Sequence, residues 1–274
     1  MGRSSSQVAL TLMGLTACLN GQAPLESPGY RITSEVKLVL LDVAARDSRG
    51  NFVSGLQRED FHVFDNRREQ PIRVFSGEDT PVTVGLLIDS SGSMRTKRGV
   101  VATAALALIQ ASNSQDEMFV VSFGDRVSFE LPEGVAFTDD QNLLRAALDR
   151  RKPEGQTALY DALQVGLEHL RRGGQERKTL VLISDGGDTA SHATAGDIRQ
   201  MAQSSNVTIH VVGIYDQDEK DRNIGFLKRL ARTTGGEAII EYEVRDLVAA
   251  CQRIAKDIRS RYTIGYKPPD TVGP

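Results

Sequence analysis

The sequence predicts an α/β fold: a doubly wound, mostly parallel sheet preceded by a small all-β unit. Three observations carry this reading. Over residues 80–260, strand-like apolar runs alternate with segments of helical periodicity. Several of those runs are apolar throughout, as strands must be when helices cover both sheet faces. Residues 36–79 carry short alternating runs broken by turn clusters and no helical period.

The chain opens Met1-Gly2-Arg3-Ser4-Ser5-Ser6-Gln7 and continues with the apolar run Val8 to Cys18. One arginine before a short apolar stretch fits an export signal over residues 1–23. The stretch is shorter than the ~20 residues that a spanning helix needs. Leu15-Thr16-Ala17-Cys18 resembles the lipobox of bacterial lipoproteins, in which the cysteine is lipidated. Plain cleavage after Ala17 or Ala23 is the alternative. Met1-Gly2 with Ser6 also fits a myristoylation pattern, but the apolar run argues against it. The expected location is therefore outside the cytoplasm: envelope or periplasm, with or without a lipid anchor, or secreted. Residues 24–35, rich in Pro, Ser and Gly, read as a linker.

In the β unit, Val36 to Val43 reads as a strand and Asp47 to Asn51 as a turn. Asp60 to Asp65 alternates, and Asp65-Asn66-Arg67-Arg68 turns the chain into Ile72 to Phe75. The unit is barely large enough for its own core, so it is expected to lean on the next domain or borrow strands. In the α/β region, strands are expected at Val82–Asp89, Met118–Phe123, Thr179–Asp185, Val207–Gly213 and Ala238–Ile240. Helical faces are marked by Val100 to Leu108, Leu143 to Leu148, Leu159 to Leu170, Ile198 to Ser204, Ile224 to Ala231 and Leu247 to Ile258. Thr234-Gly235-Gly236 stops the fifth of these helices. Residues 261–274 form a final β segment and tail.

Composition excludes some functions. The net charge is −3 and no long basic stripe appears, so nucleic-acid binding has no support. There are four His, no Trp, and two Cys with no CxxC pattern, which leaves little for zinc. Cys251 lies at helical spacing with Leu247, Ile254 and Ile258 and reads as a buried small hydrophobe.

The candidate site lies at the carboxyl ends of the strands, where ligands bind in open α/β sheets. Asp89, Ser91 and Ser93 follow one strand, Asp185 ends another, and Thr157 precedes a helix. All five offer oxygen. A hard-oxygen set with few charges suits Mg2+, with Mn2+ or Ca2+ as alternatives. The bland readings are helix caps for Asp89, Ser91, Ser93 and Thr157, and turn closure for Asp185 and Asp188. Asp161, one turn into the Thr157 helix, reads as a partner for the helix dipole. His192 reads as a loop residue and His210 as a strand residue.

Asp89-Ser90-Ser91-Gly92-Ser93 resembles the DxSxS motif of von Willebrand factor type A domains. Thr157 before a helix, and Asp185 at a strand end before Gly186, match that family's two other elements. The resemblance spans about residues 80–260 and implies a Rossmann-like fold with a metal-ion-dependent adhesion site. It also implies a protein partner whose Glu or Asp reaches the metal, with no bond broken. The lead-in Val36 to Phe75 and Ser260-Arg261-Tyr262-Thr263-Ile264-Gly265-Tyr266 resemble an exported bacterial group with such a domain, many from Acidobacteria. In related domains the last helix shifts and alters site affinity. Membrane contact is expected only through the lipid anchor. The competing class is a metal-dependent phosphotransfer or hydrolytic enzyme using Asp89. Its DxD pattern is broken here by Ser91, and neither a phosphate-binding glycine loop nor a GxSxG elbow is present.

Overall fold

A computed structural model describes residues 38–48, 52–77, 79–215 and 224–269. The expected export signal (1–23) with Cys18, the linker (24–35) and the tail beyond residue 269 lie outside these residues. So does part of the Asp47 to Asn51 turn, though its flanks Arg46 and Phe52 meet in an antiparallel bridge.

The strands are β1 (Val39–Ala44), β2 (Val63–Asp65), β3 (Arg68–Gln70), β4 (Ile72–Ser76), β5 (Val82–Asp89), β6 (Glu117–Phe123), β7 (Val127–Phe129), β8 (Arg177–Ser184), β9 (Val207–Ile214), β10 (Ala238–Glu241) and β11 (Arg261–Tyr266). The helices are α1 (Arg98–Gln110), α2 (Gln141–Asp149), α3 (Leu159–Leu170), α4 (Ala195–Ser204), α5 (Ile224–Thr233) and α6 (Leu247–Arg259). The main sheet runs β10-β9-β8-β5-β6-β7, parallel except for β7. This is the mixed α/β, mostly parallel architecture that the sequence predicts. All eight residues of β5 and of β9 are buried, which accounts for their predominantly apolar character. Helix α1, apolar almost all round, packs against α6 and α2. Helix α3 packs on β5 and on α4. Helix α5 is closed two residues past its end by Gly235, whose φ of +78° suits the left-handed turn that closes a helix.

The order of strands places the site. From β5 the chain moves outward to β6, then returns to lay β8 on the other side of β5. The reversal opens a crevice beyond the carboxyl ends of β5 and β8. Asp89 ends β5, and Asp185 directly follows β8.

The second sheet is antiparallel in the order β1-β11-β4, so the C-terminal strand lies between two N-terminal ones. Its buried core is Val63, Ile72, Tyr262 and Ile264, and two of these come from β11. Phe61, Phe75 and Tyr262 cluster with ring centroids 5.1–5.9 Å apart. The Tyr262 hydroxyl accepts from Leu56 N–H and donates to Val53 C=O. Residues 38–77 thus complete their core with β11.

Two short strands have no counterpart in the sequence reading. β3 forms a hairpin with β2 around Asn66 and Arg67, both at positive φ. β7 pairs antiparallel to β6 at the sheet edge, where Phe129 joins Phe119 and Phe137 around the His169 ring. The stretch around Asp60 is a single 3-10 turn, Arg58–Asp60, rather than part of a strand.

Candidate functional site

Three loops build the rim. Residues 90–97 follow β5, residues 153–158 precede α3, and residues 185–193 follow β8. Backbone hydrogen bonds lock the first two together. Gly92 N–H donates to Gly155 C=O at 3.0 Å, and Glu154 N–H donates to Ser90 C=O at 2.9 Å. Ala158 N–H reaches Gly124 C=O at the end of β6, and Asp125 accepts Gln156 N–H at 2.6 Å. The third loop clasps the start of α3. Thr157 N–H donates to the Thr189 hydroxyl, and Thr157 C=O accepts from Thr189 and Ala190 N–H.

Within this frame Asp89 is 2% exposed. Its Oδ1 accepts Ser91 N–H at 2.9 Å, and its Oδ2 accepts the Ser184 hydroxyl at 2.6 Å. Ser184 in turn accepts Gly186 N–H at 2.9 Å, tying the β5 carboxylate to the β8 loop. The Ser91 and Ser93 hydroxyls lie 3.1 Å apart. Asp185 is buried close enough to repel Asp89, and its Oδ2 is 3.5 Å from the Lys97 ammonium. Burial pushes the Asp89 carboxyl up to about 6, helped by the Asp185 charge and opposed by the hydrogen bonds from Ser184 and Ser91.

The structure therefore brings Asp89, Ser91, Ser93 and Asp185 to one spot and sets Thr157, also buried, on the loop bonded to both sides. The helix-cap reading fails for Asp89 and the two serines. Lys97 holds the N-cap position of α1, and Ser91 heads a 3-10 turn with no side-chain cap bond. The N-cap of α3 is Ala158, not Thr157.

Asp161 does more than face the helix dipole. Its carboxylate accepts the His192 and Ala193 N–H groups, fixing the third loop. Asp188 does the same from the other side, accepting Tyr160 N–H and the Ser191 hydroxyl. Ser184, Lys97 and Tyr215 were not foreseen. Ser184 directly precedes Asp185, and Lys97 lies one helical turn after Ser93, so adjacency and spacing carried the only signal. Tyr215, at the end of β9, packs under Gly186 and had no local signal.

Gly186 has φ +91°, and a Cβ there would fall on the Tyr215 hydroxyl. Tyr215 is 1% exposed, so the contact lies inside the packed structure. We expect Gly186→Ala to cost about 2 kcal/mol from positive-φ strain and overpacking. Urea denaturation measures it, and a loss below the ~0.5 kcal/mol of an ordinary surface change would show that the loop relaxes freely.

The donor set fits a hard divalent cation. Among the described residues no cluster of three or more His, Cys, Asp and Glu side chains is placed to hold a metal. An ion here would thus rely on hydroxyl oxygens beside two carboxylates, a low-charge set that suits Mg2+ better than zinc.

Residues 84–187 match the model of the von Willebrand factor type A domain family. Over these residues the chain is similar to that family. An uncharacterized protein of Synechocystis sp. is 28% identical over 152 residues, covering 52% of this chain and 34% of that protein. The chain thus spans about a third of that relative's length. Among solved structures, a von Willebrand factor type A protein from Catenulispora acidiphila superposes with a TM-score of 0.57 at 21% identity. That match covers 71% of this chain and 52% of the other. The pilus adhesin SpaC from Lactobacillus rhamnosus GG gives 0.54 at 16% identity, covering 66% and 31%. At these identities the likeness concerns the fold.

Proposed function

We propose that the chain is a metal-dependent protein-binding module whose partner offers a Glu or Asp to the site. The observation that carries this is the convergence of two buried carboxylates and the Ser91 and Ser93 hydroxyls at the switch point of the sheet. Asp89, Ser91, Ser93, Thr157 and Asp185 would hold Mg2+, with Mn2+ or Ca2+ as alternatives. The bound ion supplies a positive charge that an acidic side chain can share. Ser184 and Ser91 N–H hold the Asp89 carboxylate in one orientation. The loop bonds through Gly92 and Glu154 keep the donors in place before any partner arrives.

The sequence weighs against Asp89 as a nucleophile. An aspartate nucleophile of the DxD kind needs a carboxyl acid/base two residues on. The position that would carry the acid/base is Ser91.

An exported or envelope setting accords with the N-terminal sequence and with the adhesin among the similar folds. Among the described residues no helix is long and apolar enough to cross a membrane. On this reading, membrane attachment would come through Cys18.

Two measurements test the proposal. Calorimetry with Mg2+ should give binding to the wild type and none to Asp89→Ala. Pull-down from an envelope extract should retain a partner with Mg2+, and lose it with EDTA or in Ser91→Ala/Ser93→Ala. Equal Mg2+ binding by wild type and Asp89→Ala, or retention regardless of metal, would refute the reading.

A further inference from the structure

Lys97 is a charged side chain in an unusual place. It is 6% exposed, and its ammonium lies 3.5 Å from Asp185 Oδ2, inside the rim rather than in solvent. Its backbone is fixed on both sides. Lys97 N–H donates to Met94 C=O, and Lys97 C=O accepts Val101 N–H at the first turn of α1. A cation at a helix N-terminus opposes the helix dipole, so α1 alone does not favour it there. Burying an ammonium is costly unless it is paired, and one partner is a carboxylate of the candidate metal site.

We propose that Lys97 is a tethered cation that sets the charge of this site, lowering its affinity for a divalent ion and raising its affinity for an acidic ligand. The proposal rests on the metal-site reading given above. The charge arithmetic is direct. Asp89 and Asp185 contribute −2 when ionised, so a divalent ion alone would leave the site neutral. With Lys97 the loaded site carries +1. An acidic side chain then meets a net positive site. The divalent ion, for its part, must share Asp185 with the ammonium or displace it. Arg95, exposed two residues before, adds positive charge to the same rim.

The test uses the full chain, with Mg2+ alone as the first probe. Calorimetric Mg2+ titrations and the Mg2+-dependent shift of the thermal midpoint would be compared for wild type, Lys97→Met and Lys97→Arg. Methionine keeps the stem and removes the charge, whereas arginine keeps the charge. Lys97→Met should bind Mg2+ on the order of tenfold more tightly, the effect of one unit charge a few ångströms away under strong screening. Lys97→Arg should stay near wild type.

Acetate, titrated into the Mg2+-saturated proteins, is the second probe and should bind Lys97→Met more weakly than wild type. Mg2+ binding by Lys97→Met but not by wild type would also support the proposal. Equal or weaker Mg2+ binding by Lys97→Met, or undiminished acetate binding, would overturn it while leaving the metal site standing. Absence of Mg2+ binding in all three proteins would overturn the metal-site reading and this inference with it. If Lys97→Met does not show a cooperative melt in EDTA, Lys97→Gln takes its place.

Discussion

Asp89→Asn should make the metal-free protein more stable at pH 8 and abolish its stabilisation by Mg2+. The two effects have opposite signs and one cause. In the folded chain the Asp89 carboxyl titrates at about 6, against 3.8 when exposed, because burial disfavours its charge. The raised value means that the native state holds a proton between about pH 4 and pH 6 that the unfolded chain has released. Stability from this group therefore falls as pH rises through that window and stays low above it. The ionised form costs about 3 kcal/mol at neutral pH. Asparagine can still accept Ser91 N–H and face the Ser184 hydroxyl without that charge, so a gain of about 1–3 kcal/mol is expected. With Mg2+ at a hundredfold over its dissociation constant, the wild type should regain about 2.7 kcal/mol and the variant nothing. Mg2+ affinity should also weaken below about pH 6, where protons compete for Asp89. Urea denaturation at pH 8, with and without Mg2+, decides the matter. A destabilised Asp89→Asn in EDTA would mean that the carboxylate is a structural hydrogen-bonding group rather than a held charge.

Arg261→Met should cost about 3–5 kcal/mol, larger than any other single change considered. Arg261 is 2% exposed at the start of β11. It pairs with Asp257 at 2.9 Å and Asp42 at 3.2 Å, and donates to Gly235 C=O at 2.7 Å. Arg177 holds the other oxygen of Asp42 at 3.2 Å and donates to Ile258 C=O. Removing Arg261 takes the shortest ion pair from the fully enclosed Asp257 carboxylate and leaves it the longer contact with Arg46 at 3.5 Å. His210 cannot compensate, although its Nδ1 lies 3.5 Å from Asp257. That nitrogen accepts Glu237 N–H, and burial together with Arg261 and Arg46 holds the ring well below its ordinary pKa, hence neutral. The double variant Arg261→Met/Asp257→Leu should recover most of the loss, since it leaves no unpaired charge. Equal losses in the single and double variants would place the effect in packing. Because the network joins β1, α6, β8 and β11, Arg261→Met should also loosen the small sheet, visible as faster amide exchange around Tyr262.

Why some of this was legible in the sequence follows from the kind of signal. The β5 run from Val82 to Asp89 is mostly apolar because helices cover both its faces, so its burial was written in its composition. Asp89 and Asp185 could be placed at one rim because each ends a strand, and parallel strands end on the same side. What stayed hidden was pairing across long separations. That β11 lies between β1 and β4 depends on residues about 190–230 positions apart meeting, and no local period encodes it. Lys97 gives little signal in the sequence because a lysine at the start of a helix normally points to water. In sequence Asp161 reads only as a dipole partner, because its bonds to His192 and Ala193 belong to a loop 31 and 32 residues away. Composition reports burial; it does not report who sits opposite.

The position of β11 has a mechanical consequence. Val39 lies opposite Tyr266 in an antiparallel pair, so among the described residues the first and last strands have their outer ends side by side. The links into and out of the α/β unit are clasped too: Asp79 N–H donates to Arg259 C=O, and their side chains meet at 3.1 Å. The α/β unit is therefore a closed loop hung from the small sheet. Tension applied between residues 38 and 267 runs across the β1–β11 pair and not through the crevice of Asp89 and Asp185. It peels hydrogen bonds one after another from the Val39–Tyr266 end, rather than shearing all of them at once. The binding crevice would stay unloaded until that seam has parted.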